Sequence, residues 1–284
     1  MNGKLFYLSV FLLITLLSAP NSLESAGHNK NPPSLCDVRH PSDEKIEWKC
    51  RRLRSGETVE NLFGHRWRDV ARYNRIDQRH ARAGIQLKVP IRLEEIVDFT
   101  PMPADYPPAR GEAKFILIDL SEQFLGAYEY GRLVFSTPAT SGVRDNPTPV
   151  GTFRITAADR EHRSSLYSIE ETDIPYPMSH ALRFYINRGG VSFWIHGRDL
   201  PGYPASHGCI GLYDERMQKK YYGSPKKPVM EDARTLYEWV MAPFPDSGRF
   251  NLLKEGPKLV IIGEAPETKS TPPKLDRSST PLAR

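Results

Sequence analysis

The chain has 284 residues, 39% hydrophobic and 26% charged, with a formal net charge of +5 at neutral pH. This balance excludes a multi-span membrane protein and suffices for two modest domains with their own cores. The positive excess would suit nucleic acid, anionic lipid or an acidic glycan alike. The basic residues are dispersed, however, apart from Arg51, Arg52, Arg54 and the stretch from Arg66 to Arg82, and no nucleic-acid motif accompanies them.

At the start of the chain, Lys4 precedes an apolar run from Leu5 to Leu17 that ends in Ser18, Ala19 and Pro20. The run falls short of the roughly 20 residues a bilayer span needs and matches the apolar region of a secretory signal. Residues 1–26 are therefore assigned as a signal peptide, with an uncleaved anchor as the alternative, and the remainder is expected to be exported. Export governs the reading of the three cysteines, because in an oxidising compartment an odd one calls for a reason. Cys36 and Cys50 lie close enough in sequence to close a small loop, which leaves Cys209 unpaired, as a buried structural thiol or a reactive one.

Residues 27–46 are polar and proline-bearing and read as a tether. Residues 47–92 form a small α+β unit. Trp48 to Leu53 is a weak opening strand, and Thr58 can cap a helix starting at Val59, with Val59, Leu62 and Phe63 at helical spacing. A second helix is expected from Trp67 to Tyr73, and the alternating segment ending at Pro90 reads as a strand. In Ser55-Gly56-Glu57-Thr58, in Asn74 and in Gly84-Ile85-Gln86-Leu87-Lys88-Val89-Pro90 the unit resembles a LysM domain. The resemblance implies binding to glycan strands containing N-acetylglucosamine; otherwise the unit is a spacer with no ligand.

Residues 93–110, with four prolines between Thr100 and Pro108, read as a semi-rigid linker. Residues 111–263 form a mainly β second domain. Its strands are expected at Lys114 to Leu120, Gln123 to Tyr130, Leu133 to Phe135 and Lys258 to Ile262, with a helix at Glu231 to Met241. The tail, residues 264–284, is rich in proline, serine, threonine and charge and is expected to be disordered.

The chemistry concentrates in His196-Gly197 and, nine residues after Gly197, Ser206-His207-Gly208-Cys209-Ile210-Gly211-Leu212. A thiol attacks carbonyls as the thiolate, so it needs a lowered pKa or a nearby base, and two histidines supply candidates. The strand-like run from Val191 to Ile195 would deliver His196 to a sheet edge. Gly208 would let a substrate approach the backbone beside the nucleophile. A metal site built from His196, His207 and Cys209 lacks an obvious fourth ligand and would tie up the thiolate.

This block resembles the active-site signature of the L,D-transpeptidases, the YkuD-type fold. A second match lies upstream, in Asn146-Pro147-Thr148-Pro149-Val150-Gly151-Thr152-Phe153, which follows a Thr-Pro-x-Gly-x-Phe element, and Pro175-Tyr176-Pro177-Met178 falls where the family has an aromatic-bearing pocket segment. The resemblance covers most of Lys114 to Ile262 and implies a β-sandwich of mixed sheets. It further implies that Cys209 is the nucleophile, His196 its base and the Gly197 carbonyl the group that orients the imidazole. The Gly208 and Cys209 amides would hold an oxyanion, while His207 and Ser206 support the loop and Tyr176 and Met178 line the pocket. No metal or organic cofactor is implied. The expected partners are peptidoglycan stem peptides and glycan strands, a wall-anchored protein and carbapenem β-lactams as inhibitors, in a periplasm or cell envelope. Hydrolysis of the same bonds by a carboxypeptidase or amidase, and a non-catalytic wall-binding protein, are the alternatives. The family places an arginine where this chain has Gly211, which leaves Arg198, Arg183 or Arg188 to substitute for it.

Overall fold

The computed structural model describes residues 34–169, 172–243 and 248–267, so the expected signal peptide and most of the expected disordered tail lie outside it. Among the described residues no helix is long and apolar enough to cross a membrane. The N-terminal part contains β1 (Trp48–Arg52), α1 (Val59–Phe63), α2 (Trp67–Tyr73) and β2 (Gln86–Pro90), in the strand–helix–helix–strand order read from the sequence. β1 and β2 pair antiparallel, and Thr58 caps α1 by accepting from the Asn61 amide at 3.2 Å. The second part adds β3 (Phe115–Asp119), β4 (Phe124–Glu129), β5 (Arg132–Pro138), β6 (Gly151–Arg154), β7 (Ala157–Asp159) and β8 (Arg163–Ser168). There follow β9 (Pro175–Pro177), β10 (Ala181–Ile186), β11 (Ser192–Arg198), β12 (Ile210–Tyr213), α3 (Glu215–Tyr222), α4 (Asp232–Met241), β13 (Asn251–Leu252) and β14 (Lys258–Ile262).

Two mixed five-stranded sheets, ordered β12-β11-β10-β7-β13 and β5-β4-β3-β14-β6, face each other as a sandwich. Side chains alternate across a strand, and β3 shows the consequence. Ile116 and Ile118 enter the inter-sheet core with Leu125, Leu182, Ile195, Ile210 and Leu212, closed at one side by Leu236, Tyr237 and Val240 of α4. Phe115 and Leu117, on the other face, pack on Val70 and Tyr73 of α2 and on Ile96, Phe99 and Met102. Burial on both faces explains why this strand reads as a continuous apolar run rather than an alternating one.

That second layer changes the picture of residues 93–110 and of the tether. Ile96 and Ala109 are fully buried, so the proline-bearing segment is packed between the two parts rather than spacing them apart. Residues 34–46 are equally fixed. A disulfide joins Cys36 to Cys50, Leu35 is buried, and Lys88 donates to Asp43 at 2.5 Å. Polar contacts complete the junction: Arg75, 1% exposed, pairs with Glu122 at 3.1 Å, Arg72 pairs with Asp232 at 3.1 Å, and Arg79 with Asp199 at 2.7 Å. Composition marks proline-rich stretches as linkers, but here the prolines alternate with apolar residues that the neighbouring sheet buries.

Glu215, the first residue of α3, is fully buried at this junction. Its Oε2 accepts from the Gln78 side chain at 3.0 Å and from the Val229 and Met230 amides at 2.7 and 3.0 Å, while Oε1 has no partner. Burial pushes its pKa up to about 7 from an ordinary 4.5. A folded value above the unfolded one gives a contribution to stability that is complete below the unfolded pKa and lost as pH rises through about 7. Glu215→Gln should therefore gain on wild type by about 2–3 kcal/mol between about pH 5 and about pH 8, in paired urea titrations. A difference between the two proteins that does not change with pH would show that this carboxyl does not retain its proton on folding.

Candidate active site

Strands β11 and β12 run parallel, with Ile195 opposite Ile210 and His196 opposite Gly211. Because Ile195, Ile210 and Leu212 turn into the core, alternation places Trp194 and His196 on the opposite face. Cys209 immediately precedes β12, and extending the register by one residue sets it beside Trp194. It packs there against the cluster of Ala157, Met178, Ala181 and Trp194, which Tyr176 also borders, so the two expected pocket residues belong to the thiol's surroundings. Strand spacing and rise put the His196 and Cys209 Cα atoms about 8 Å apart, within reach of an imidazole and a thiol on one face.

His196 is 2% exposed, and its Nδ1–H donates to the Gly197 carbonyl at 2.8 Å, which leaves Nε2 as the ring's basic nitrogen. Burial first, and then the Arg198 charge, push its pKa down to about 3, against the Gly197 carbonyl and Asp214, which favour the imidazolium. The Cys209 thiol is raised by burial, opposed by a hydrogen bond from the Trp194 backbone and by Arg198. The resting pair is therefore neutral thiol and neutral imidazole. A thiol acidified at rest, one of the two routes open to the sequence, is not what forms, because desolvation outweighs the groups that stabilise the thiolate.

Gly197 is fixed from behind. Its amide donates to the Ser179 carbonyl at 2.8 Å, and a Cβ at this position would lie 2.3 Å from Asp214 Oδ2 and 2.8 Å from Ser179 Oγ. The Ser179 hydroxyl donates to the Asp214 carboxylate, which also caps α3 by accepting from the Met217 amide at 2.9 Å. Ser179 and Asp214 were not among the site residues read from the sequence. Asp214 carries a usable signal, an aspartate directly before a helix, whereas Ser179 carries none.

The Cys209 loop is tied by two hydroxyls. Ser206 Oγ accepts from the Gly208 amide at 3.1 Å and donates to the Cys209 carbonyl at 2.5 Å. The Gly208 amide, expected to face an oxyanion, is thus engaged within its own loop. Thr148, from the upstream motif, accepts from the Gly142 amide at 2.9 Å and donates to the Gly208 carbonyl at 3.0 Å. The two sequence motifs are joined by this one threonine. His207 stacks on Tyr167 of β8, with ring centroids 4.6 Å apart.

Gly208 holds φ +108°, and a Cβ there would lie 2.4 Å from Phe193 Cε1. Gly208→Ala should cost about 1–3 kcal/mol and displace the nucleophile, lowering kcat/KM by roughly 100-fold. Thermal melting and turnover, measured together, check this; unchanged turnover would mean that the loop geometry does not position Cys209.

Of the three arginines able to substitute at Gly211, Arg198 comes to the site. A Cβ at Gly211 would lie 2.7 Å from Arg198 Cβ and Cδ and 2.7 Å from Thr140 Cγ2, so the arginine stem occupies the space that a side chain at 211 would need. The Arg198 guanidinium donates to the Ala205 carbonyl at 2.6 Å and lies 5.6 Å from the centre of the Tyr176 ring. Arg183 bonds Thr156 at 3.2 Å and faces Trp194 and Phe250, with no contact to Gly211.

Comparisons with known proteins identify the family of the second part. The YkuD family, the L,D-transpeptidase catalytic domain, matches residues 113–262. No curated protein matches the chain. Among solved structures, an L,D-transpeptidase from Stackebrandtia nassauensis is 20% identical, with 54% of this chain and 57% of that one covered and a TM-score of 0.35. The L,D-transpeptidase from Xylanimonas cellulosilytica is also 20% identical, over 76% of this chain and 98% of that one, at a TM-score of 0.41. A Mycobacterium tuberculosis L,D-transpeptidase is 17% identical, over 53% and 62%, at 0.34. This chain thus spans little more than half the length of the Stackebrandtia relative. With the family match extending over more than half of its residues, the chain belongs to the YkuD family of L,D-transpeptidase catalytic domains.

Proposed function

We propose that the protein is a peptidoglycan L,D-transpeptidase acting through a Cys209 thioester. The observation that carries this reading is the placement of His196, its Nδ1–H committed to the Gly197 carbonyl at 2.8 Å, on the same sheet face and the neighbouring strand as Cys209. On substrate binding, His196 Nε2 takes the thiol proton and the sulfur attacks the carbonyl carbon of the L-to-D bond of a stem tetrapeptide. The oxyanion falls to the Cys209 amide, since the Gly208 amide is engaged by Ser206. Collapse breaks the C–N bond, His196 gives its proton to the departing amine, and a D-amino acid leaves. An amine of a second stem then attacks the thioester and passes its proton to His196. The sulfur leaves and recovers that proton, and the product is a cross-link.

The raised thiol and weak imidazole fit general-base catalysis better than a standing thiolate–imidazolium pair. The N-terminal strand–helix–helix–strand unit supports a LysM-like role on glycan strands, with the protein exported to the cell envelope. The acceptor amine could equally be carried by a wall-anchored protein. Ring opening of a carbapenem by the same thiol would acylate Cys209 without loss of any atom.

The test is mass spectrometry of the products formed from purified protein and disaccharide tetrapeptides. The proposal expects a dimer lighter than two monomers by one D-alanine. A tripeptide as the sole product would replace transfer by hydrolysis, and unchanged substrate would remove tetrapeptides as donors.

A further inference from the structure

We propose that Arg198 is the specificity-determining residue of this site, binding the C-terminal carboxylate of the donor stem's departing D-residue. The inference rests on the transpeptidase reading for its substrate, but on the structure for its site. Along β11, Trp194, His196 and Arg198 share the face that carries the base, opposite the core-facing Ile195. The stem of Arg198 lies against Gly211, and Thr140, whose backbone bridges Gly211, closes the other side. A side chain at 211 would push the arginine away, so the glycine and the arginine form one device.

The head of Arg198 is placed between the nucleophile loop and the pocket. One nitrogen donates to the Ala205 carbonyl at 2.6 Å, which sets the guanidinium against the segment leading into Ser206 and Cys209, and it lies 5.6 Å from the centre of the Tyr176 ring, which borders the same Met178–Trp194 cluster as Cys209. Its positive charge reaches His196, His207 and Cys209 alike. Among the described residues no carboxylate lies within ion-pair distance of it, and its Nε–H is buried without a partner. A half-buried guanidinium with donors to spare and no counter-ion is suited to an anion that arrives with the substrate. In a stem tetrapeptide the C-terminal carboxylate is one residue beyond the scissile carbonyl, about 4 Å along the chain, and is the anion covalently bound to sit closest to the sulfur.

The experiment compares wild type, Arg198→Lys and Arg198→Met on a tetrapeptide and on its C-terminal amide. Wild type should prefer the free acid by at least about 30-fold in kcat/KM, Arg198→Lys should keep part of that preference and Arg198→Met almost none. Equal turnover of acid and amide by wild type, or an undiminished preference in Arg198→Met, overturns the proposal. A second readout needs no peptide turnover: alkylation of Cys209 by iodoacetate against iodoacetamide. The iodoacetate-to-iodoacetamide rate ratio should fall several-fold from wild type to Arg198→Met, whereas an unchanged ratio overturns the proposal. If wild type converts neither peptide, the transpeptidase reading fails, and the alkylation ratio alone decides whether Arg198 receives a carboxylate beside the thiol.

Discussion

Cys209→Ala should leave stem-peptide turnover at background, a fall of at least about 10⁴-fold, while the protein still melts cooperatively. The thiol is the nucleophile in the proposed chemistry, and neither Ser206 nor Thr148 can replace it. Both hydroxyls are committed to the loop, Ser206 between the Gly208 amide and the Cys209 carbonyl, Thr148 between the Gly142 amide and the Gly208 carbonyl. Cys209→Ser keeps the shape but should fare little better. An imidazole whose pKa is held near 3 is a poor base for a hydroxyl, which is far less acidic than a thiol. Truncation to alanine removes only the sulfur, and the Cys36–Cys50 disulfide is remote in sequence from it, so the expected loss of stability is small, about 1 kcal/mol. Retained turnover in the alanine variant would refute the thioester route.

Replacing His196 gives the second largest effect. His196→Ala should lower kcat/KM by about 10²–10⁴-fold, and the pH profile should change shape as well as height. In wild type the imidazole remains neutral down to about pH 3, so protonation of His196 is not what reduces activity as the medium is acidified from neutral. The thiol sits above its ordinary value, so at neutral pH the thiolate is a small fraction that rises with pH until the raised pKa is passed. Without its base the enzyme depends on that fraction alone, and the residual activity of His196→Ala should climb about tenfold per pH unit across the neutral range. Wild type, which moves the proton within the complex, should show a flatter profile. Parallel profiles for the two proteins would remove His196 from the proton transfer.

Much of this site was legible as residue identity, less as geometry. The His-Gly and Ser-His-Gly-Cys blocks announce a thiol and a base because those residue types serve few other purposes so close together. Their placement on one face follows from the period of β11 and its parallel pairing with β12, which no local pattern encodes. Thr148 was visible only as a letter in a motif, and its bond to the Gly208 carbonyl joins segments 60 residues apart. The Gly208 amide was assigned to an oxyanion because glycine beside a nucleophile permits that, whereas the Ser206 hydroxyl claims it. Arg198 could be named as one of three candidates, but only the contact between its stem and Gly211 singles it out.

The fold was read most securely where local chemistry decides. α2 lies over Trp67–Tyr73 and β14 over Lys258–Ile262, as their apolar spacing indicated, while α4 begins one residue later than expected. The helix α3 was not among the expected elements, although Asp214, directly before it, caps it. Residues 93–110 show the limit of composition. Their prolines announce a spacer, and the packing of Ile96, Phe99 and Met102 against β3, α2 and Phe124 joins the two parts into one compact unit.

The central claim is a covalent intermediate on Cys209, and acid quenching during turnover of a stem tetrapeptide tests it most directly. Intact mass and peptide mapping of the quenched protein should show the donor stem, shorter by its D-amino acid, attached to the peptide that contains Cys209. The adduct should be absent from Cys209→Ala. Turnover that proceeds with Cys209 unmodified at every quench time, or an adduct mapped to another side chain, would contradict it.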